Sequence, residues 1–375
     1  MSSDWSFTYC PVAPGYRIDW DNIYNNFSWV RLMDGIQQNP SYHAEGDVLT
    51  HTKLVCEALI DMKEWQDLDE TERSVLFLAA LFHDAAKPYC TRIDPEGISS
   101  PGHAVKGELI SRKIIYKDLK IPFTIRETIA KLVRFHGLPL FFIDKPDPAK
   151  AVIEASQMIR LDLLYILSKA DVLGRECPDK NELLDRIFLF SEFCRENRCF
   201  EESRKFASNF SRFVYFQKEN GFPDYEAYDD TQSGVILMSG LPAAGKDTWI
   251  EKNYPDHFVV SLDDIRDEIG VSPEDGQGEV IWAAREQAKT FLRQHKSFIW
   301  NATNLTSSLR RQLVNLFVSY GAKVKIVYLE IPYKEILRRN SERSRNVPEK
   351  IIEKMISKLE VPNVTEAHEV KWIVE

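Results

Sequence analysis

Apolar residues recur at three- and four-residue intervals through residues 125–135 and 158–174, the spacing of helices with one buried face. Residues 74–87 (SVLFLAALFHDAAK) are apolar almost all round, which predicts a helix through the centre of a bundle. The helical pattern continues through 182–216 with many aromatics. Residues 219–233 (ENGFPDYEAYDDTQS) are then polar, acidic and rich in breakers, and read as a linker. After them the rhythm changes. Short apolar runs at 235–239, 258–261, 298–300 and 324–331 alternate with helical stretches near 278–295, 306–319 and 333–343, which predicts a parallel sheet with helices on both faces. The expected architecture is two domains: an all-α bundle over 1–218, a linker over 219–233, and an α/β domain over 234–375.

The length of 375 residues allows each domain its own core, and 44% hydrophobic with 28% charged residues is ordinary for a globular chain. A formal net charge of -9 excludes a protein that grips nucleic acid over its whole surface. The excess lies mostly in the first domain, while Arg338, Arg339, Arg343 and Arg345 form a local basic cluster in the second, so polyanion binding is expected to be local. Six scattered cysteines without a Cys-x-x-Cys pair fit reduced thiols. With no signal-peptide pattern and no apolar stretch long enough for a bilayer, a cytoplasmic location and no membrane partner are expected.

The second domain opens with Gly240-Leu-Pro-Ala-Ala-Gly245-Lys246-Asp247-Thr248. Glycines here let backbone N–H groups turn inward around phosphate oxygens, and the following helix aims its positive end at the same anion. Lys246 would reach the β- and γ-phosphates of ATP or another nucleoside triphosphate bound with Mg²⁺. The residue after the lysine is usually Ser or Thr, whose hydroxyl binds Mg²⁺; here it is Asp247, so either Asp247 helps hold the metal or Thr248 supplies the hydroxyl. Downstream, Asp263-Asp264-Ile-Arg266 follows the second strand, at the edge where open α/β sheets bind ligands. A carboxylate there could take the proton of an attacking hydroxyl, and Arg266 could hold an acceptor phosphate. The structural alternative is a helix N-cap made by Asp263 or Asp264.

This half resembles phage-type polynucleotide kinases. The resemblance implies that Asp263 is the general base toward a 5′-hydroxyl and Arg266 the clamp on the acceptor's 3′-phosphate. It extends through Trp300-Asn-Ala-Thr-Asn304 and an arginine-rich lid, in which Arg343 and Arg345, with Arg339 behind them, would cover the ATP phosphates. It departs at Ala302, where such kinases often carry Asp, so no carboxylate role is assigned at that strand end.

The first domain carries His51, His83-Asp84, His103, His136 and Asp171, and five of the chain's eight histidines lie in this region. His and carboxylate ligands suit first-row divalent metals, and two ions sharing a carboxylate can clamp a phosphoester. The order H…HD…H…H…D resembles the HD phosphohydrolase superfamily, an all-helical fold. The resemblance implies one ion (Mn, Ni, Co or Fe) held by His51, His83, Asp84 and Asp171, and a second by Asp84, His103 and His136. Lys87, one turn along the same helix, and Arg175, one turn after Asp171, would contact substrate phosphate. His43 would be a further substrate or metal contact.

An HD domain joined to a phage-like kinase resembles the HD-Pnk family of end-healing enzymes. The resemblance implies phosphorylation of 5′-hydroxyl DNA or RNA ends, removal of 2′-phosphate, 3′-phosphate or 2′,3′-cyclic phosphate, and a ligase acting downstream. Two other readings stay open. One is a small-molecule nucleoside or sugar kinase fused to an HD nucleotidase. The other is an HD hydrolase regulated by a nucleotide-sensing P-loop domain.

Overall fold

The computed structural model describes residues 5–271, 277–343 and 346–375. The chain divides into two compact units, Met1–Arg204 and Lys205–Glu375.

The first unit is a helical bundle. Its main helices are α1 (Val48–Asp61), α2 (Glu70–Phe82), α3 (His103–Asp118), α4 (Phe123–Phe135), α5 (Leu161–Leu173) and α6 (Lys180–Glu196). Asp47 and Asp69 set the starts of α1 and α2 by accepting from the backbone N–H of Thr50 and Glu72, each at 2.8 Å. From Ser74 to Phe82, α2 is buried on every side, as its all-apolar sequence requires. A short antiparallel ribbon, β1 (Arg92–Asp94) with β2 (Gly97–Ser99), joins α2 to α3. At three residues per strand, with no position buried, the ribbon leaves no legible alternation in the sequence.

The central helix stops at Phe82, before the end expected at residue 87. Residues 83–86 form turns, and a 3₁₀ turn (Lys87–Tyr89) follows with Pro88 in its first positions, where no N–H is needed. The pattern expected to be helical through 182–216 also breaks, with α6 ending at Glu196 and α7 (Asn209–Gln217) starting behind a Ser208 cap.

That break moves the domain boundary. Phe213 of α7 is buried in the core of the second unit beside Val235 and Val324, so the helix belongs there and the division falls after Arg204, not 218. Nor do residues 219–233 link the two units. Ala227 N donates to Ser211 Oγ (3.0 Å), Asp229 pairs with Lys323 (2.6 Å) and Gln232 N donates to the Gly321 carbonyl (2.9 Å), tying the segment to the second unit.

The second unit is built on a five-stranded parallel sheet: β3 (Ser233–Ser239), β4 (Phe258–Ser261), β5 (Phe298–Asn301), β6 (Ala322–Glu330) and β7 (Glu369–Val374), in the order β4-β5-β3-β6-β7. Its helices are α8 (Lys246–Asn253), α9 (Leu262–Glu268), α10 (Gln277–Arg293), α11 (Ser307–Val318), α12 (Tyr333–Ser341) and α13 (Glu349–Ile356). Val280, Ala284, Ala288 and Leu292 of α10 pack with Leu313 and Phe317 of α11 against Leu237, Phe298 and Trp300 of the sheet. The alternate strand positions Met238, Ile299 and Val327 are equally buried, so both sheet faces are covered. Strand β3 is central, and the order reverses beside it, which opens a ligand crevice at its carboxyl end. Edge strand β7 escapes the sequence pattern because charged residues interrupt it and most of its positions are exposed. Among the described residues no helix is long and apolar enough to cross a membrane.

His368 locks α7 to the sheet. Its ring lies 4.0 Å from that of Phe213, and its Nδ1 accepts the Val324 N–H at 3.0 Å. Burial, with Lys323 adding, pushes the imidazole down from 6.5 to about 4. A base depressed in the folded state contributes stability above its unfolded pKa and loses it as pH falls through the folded value. The contribution of His368 should therefore be full above pH 6.5 and decline toward pH 4. The variant His368→Asn keeps an acceptor without titrating, so thermal unfolding of the full chain should show a shallower loss for it over that window. Identical acid limbs would rule out this role.

Candidate metal centre and candidate kinase site

Four helix ends and one helix interior converge on the first site. Helix α1 presents His51, the turn after α2 presents His83 and Asp84, α3 begins at His103, α4 is followed by His136, and α5 supplies Asp171. Three rings are oriented by one device. The Nδ1 atoms of His83, His103 and His136 lie 2.7, 2.8 and 2.8 Å from the carbonyls of Ala80, Ser100 and Val133, each three residues back. A neutral ring that donates through Nδ1 is acceptor-only at Nε2.

Those Nε2 atoms face one another. His51 and His83 approach to 3.3 Å, as do His103 and His136. Asp84 lies between the pairs, Oδ2 at 3.3 Å from His83 Nε2 and 3.8 Å from His51 Nε2, Oδ1 at 3.5 Å from His103 Nε2. Asp171 Oδ1 is 3.1 Å from His51 Nε2. Opposed acceptor atoms in a buried space call for cations, and Asp84 Oδ1 is buried without a hydrogen-bond donor. The triads His51/His83/Asp171 and Asp84/His103/His136 each gather their ligand atoms within 4.8 Å. Each cluster has a donor set that suits a divalent ion, with Asp84 lying between the two.

The electrostatics prepare these ligands. Although burial opposes ionisation, Lys87 and the His83 ring hold Asp84 well below the usual carboxylate range, and Arg175 does the same for Asp171. Burial, with the charges of His103 and His83, pushes His136 down to about 3, so it is neutral near pH 7.

The cations expected to face substrate instead engage these carboxylates. Lys87, turned back by the 3₁₀ turn, donates to Asp84 Oδ2 (2.7 Å) and Gln38 Oε1 (2.6 Å). Arg175 grips both oxygens of Asp171, with Nε to Oδ1 at 3.1 Å. His43 Nδ1 lies 2.8 Å from Glu45 Oε1.

Glu45 was not singled out by sequence. Its Oε1 also lies 2.8 Å from His51 Nδ1, and its Oε2 accepts the Glu176 N–H at 2.8 Å. One carboxylate thus orients a ligand histidine and ties its loop to the loop after Asp171. The only signal was an acid between two histidines, across a turn without periodicity.

The second site is built at the carboxyl end of β3. Gly240 has φ 144°, and a Cβ there would lie 2.5 Å from the Leu329 carbonyl oxygen, so no side chain fits. Gly245, φ 90°, precedes α8 in the left-handed region. Lys246 Nζ donates to the Gly240 and Leu241 carbonyls at 3.1 and 2.9 Å. Burial, reinforced by Arg343 against the pull of Asp247, brings it down to about 8. Asp247 and Thr248 are both exposed at the start of α8, and Asp247 Oδ1 accepts from Asn301 Nδ2 at 2.6 Å. Asn301, at the end of β5, is a neighbour that no motif assigned.

Ser261, not Asp263 or Asp264, caps α9 by accepting the Asp264 N–H at 3.3 Å. Asp263 is left exposed and paired with Arg266. Arg339 bonds Glu335 and Glu375 and brings a guanidinium nitrogen to 3.7 Å from where a Gly245 Cβ would lie. Arg343 is close enough for its charge to act on Lys246, while Arg345 lies outside the described residues.

Comparison with known proteins agrees with this division. Residues 48–175 match the family described as HD domain, and residues 235–362 match the family described as AAA domain. The chain therefore joins an HD domain to a P-loop kinase-like domain. Over 136 residues it is 29% identical to the L-seryl-tRNA(Sec) kinase of Methanococcus maripaludis; the match covers 34% of this chain and 53% of that protein. A crystal structure of a candidate kinase from Chloroflexus aurantiacus aligns at 19% identity and TM-score 0.32, covering 39% of this chain and 86% of that one. A sugar kinase from Janibacter sp. HTCC2649 aligns at 18% identity and TM-score 0.28, covering 38% and 84%.

Metal titration of the native chain, followed by calorimetry and elemental analysis, should reach two divalent ions per chain, and Asp84→Asn should retain at most one. Loss of the Glu45 contact in Glu45→Gln should weaken metal affinity roughly 10–100-fold. Native affinity in that variant would remove Glu45 from the centre.

Proposed function

We propose that the chain heals broken nucleic-acid ends, its two domains acting on opposite termini. The observation that carries the kinase assignment is the exposed Asp263 carboxylate, paired with the half-buried Arg266 and close enough to the P-loop for its charge to act on Lys246. With ATP and Mg²⁺ in the loop, Lys246 leaves its carbonyl partners for the β- and γ-phosphates. Arg266 exchanges Asp263 for a phosphate of the acceptor strand, which frees the Asp263 carboxylate to take the proton of the 5′-hydroxyl. Arg339, held over Gly245, and the lid arginines Arg343 and Arg345 offset charge on the transferring phosphoryl group. Asp247 or Thr248 bears on the Mg²⁺.

In the first domain His51, His83 and Asp171 would hold one ion and His103 and His136 the other, with Asp84 between. Bound divalent ions would supply phosphoester polarisation and a hydroxide nucleophile at neutral pH. Lys87 and Arg175 keep the ligand carboxylates anionic and offer positive charge to the departing 2′- or 3′-phosphate, with His43 beside them. The product would carry 5′-phosphate and 3′-hydroxyl, suited to a ligase acting on DNA or RNA.

A relative named for a seryl-tRNA acceptor supports a hydroxyl borne on nucleic acid. It equally favours a second reading, in which that hydroxyl is not a strand's 5′ end.

Transfer of labelled γ-phosphate from ATP to a 5′-hydroxyl oligonucleotide tests the kinase assignment. Lys246→Ala and Asp263→Ala should each lower transfer by about 10²-fold or more while leaving removal of a 3′-terminal phosphate intact. Asp84→Ala should do the reverse. ATP binding without transfer to any oligonucleotide would overturn the end-kinase reading and promote a nucleotide sensor.

A further inference from the structure

We infer that the groove between α10 and α11 is the track along which a single nucleic-acid strand leaves the kinase site; this rests on the end-kinase reading above. Helix α10 buries Val280, Ala284, Ala288 and Leu292 against the sheet. Its outer side carries Trp282, Arg285 and Lys289 at i, i+3 and i+7, one continuous stripe. Trp282 is 67% exposed, although an indole gains more from burial than any neighbour on that stripe.

Below it the two helices leave a groove of about 410 Å³, lined by Arg285 and Lys289 on one side and Gln312, Asn315 and Leu316 on the other. Arg285 Nε is buried without a hydrogen-bond partner, and its terminal nitrogen reaches Gln312 Oε1 at the long distance of 3.4 Å. Lys289 pairs with Glu286 at 2.7 Å, a within-helix contact of little net strength that a phosphate can displace.

Position and chemistry select the occupant. Ile265 of α9 and Val280 at the start of α10 share one core, which sets the Trp282 end of the stripe next to the helix bearing Asp263 and Arg266. From there α10 runs back toward the start of β5, away from the crevice. An exposed indole offers a stacking face to an unpaired base, the two cations suit backbone phosphates, and the Gln and Asn amides can meet sugar or base edges. A duplex hides its base faces, so the track fits a single strand.

The test is kinase kinetics on 5′-hydroxyl oligonucleotides from a dinucleotide to about twelve nucleotides. For the native chain, KM should fall as length increases. In Trp282→Ala and in the double variant Arg285→Ala/Lys289→Ala, kcat and the dinucleotide KM should stay native. Their KM for the longest substrate should rise roughly tenfold, and the double variant should also show a shallower salt dependence. Trp282→Phe keeps a stacking face and should restore most of the length effect. Native KM and salt slope in both variants, on an oligonucleotide that the enzyme does phosphorylate, would overturn the track alone. Failure of the native chain to phosphorylate any oligonucleotide would overturn the end-kinase reading and the track with it.

Discussion

Imidazole Nε2 atoms face one another at 3.3 Å, with a carboxylate between the pairs whose Oδ1 is buried without a hydrogen-bond donor. Each of three rings has committed its Nδ1 to a carbonyl three residues back, so in the neutral rings the inward atoms carry lone pairs. Such a cluster is costly to bury unless positive charge compensates it. The α1 interior and the ends of α2, α3, α4 and α5 all converge on that requirement, and the helical bundle is in effect the frame that holds it.

Part of the compensation is supplied by the protein. Lys87 and Arg175 neutralise the two carboxylates from the outside, and Glu45 balances His51 on the side away from the centre. Both cations thereby keep these two buried carboxylates anionic. Lys87 stands three residues after Asp84, in the 3₁₀ turn that follows the end of α2, and its ammonium is the cation paired with that carboxylate.

The second unit meets a phosphate-binding requirement by backbone means. Gly240 has no space for a side chain against Leu329, and Gly245 sits where left-handed geometry is needed before α8. The result is a loop whose lysine is held by its own carbonyls and is ready to exchange them for a nucleotide's phosphates. Asp247, bonded to Asn301, joins the loop to the end of β5. Ser261 does the capping of α9, which leaves the Asp263 carboxylate exposed and paired with Arg266.

The strand–loop–helix around Lys246, the alternation of strands and helices after it, and the ordered His and Asp residues were legible because each is a local signal. Period, glycine placement and adjacent ligands are properties of short stretches of chain. The sequence by itself determined the two fold classes and the chemistry each could support. Tertiary structure decided that His51 meets Asp171 across 120 residues, that Glu45 stands behind them, and that α7 and the acidic segment after it belong to the second unit. It also decided that Lys87 turns inward and that an edge strand forms at 369–374. Those outcomes depend on which surfaces meet in space, and the energy of a long-range contact leaves no periodic trace in the residues that make it.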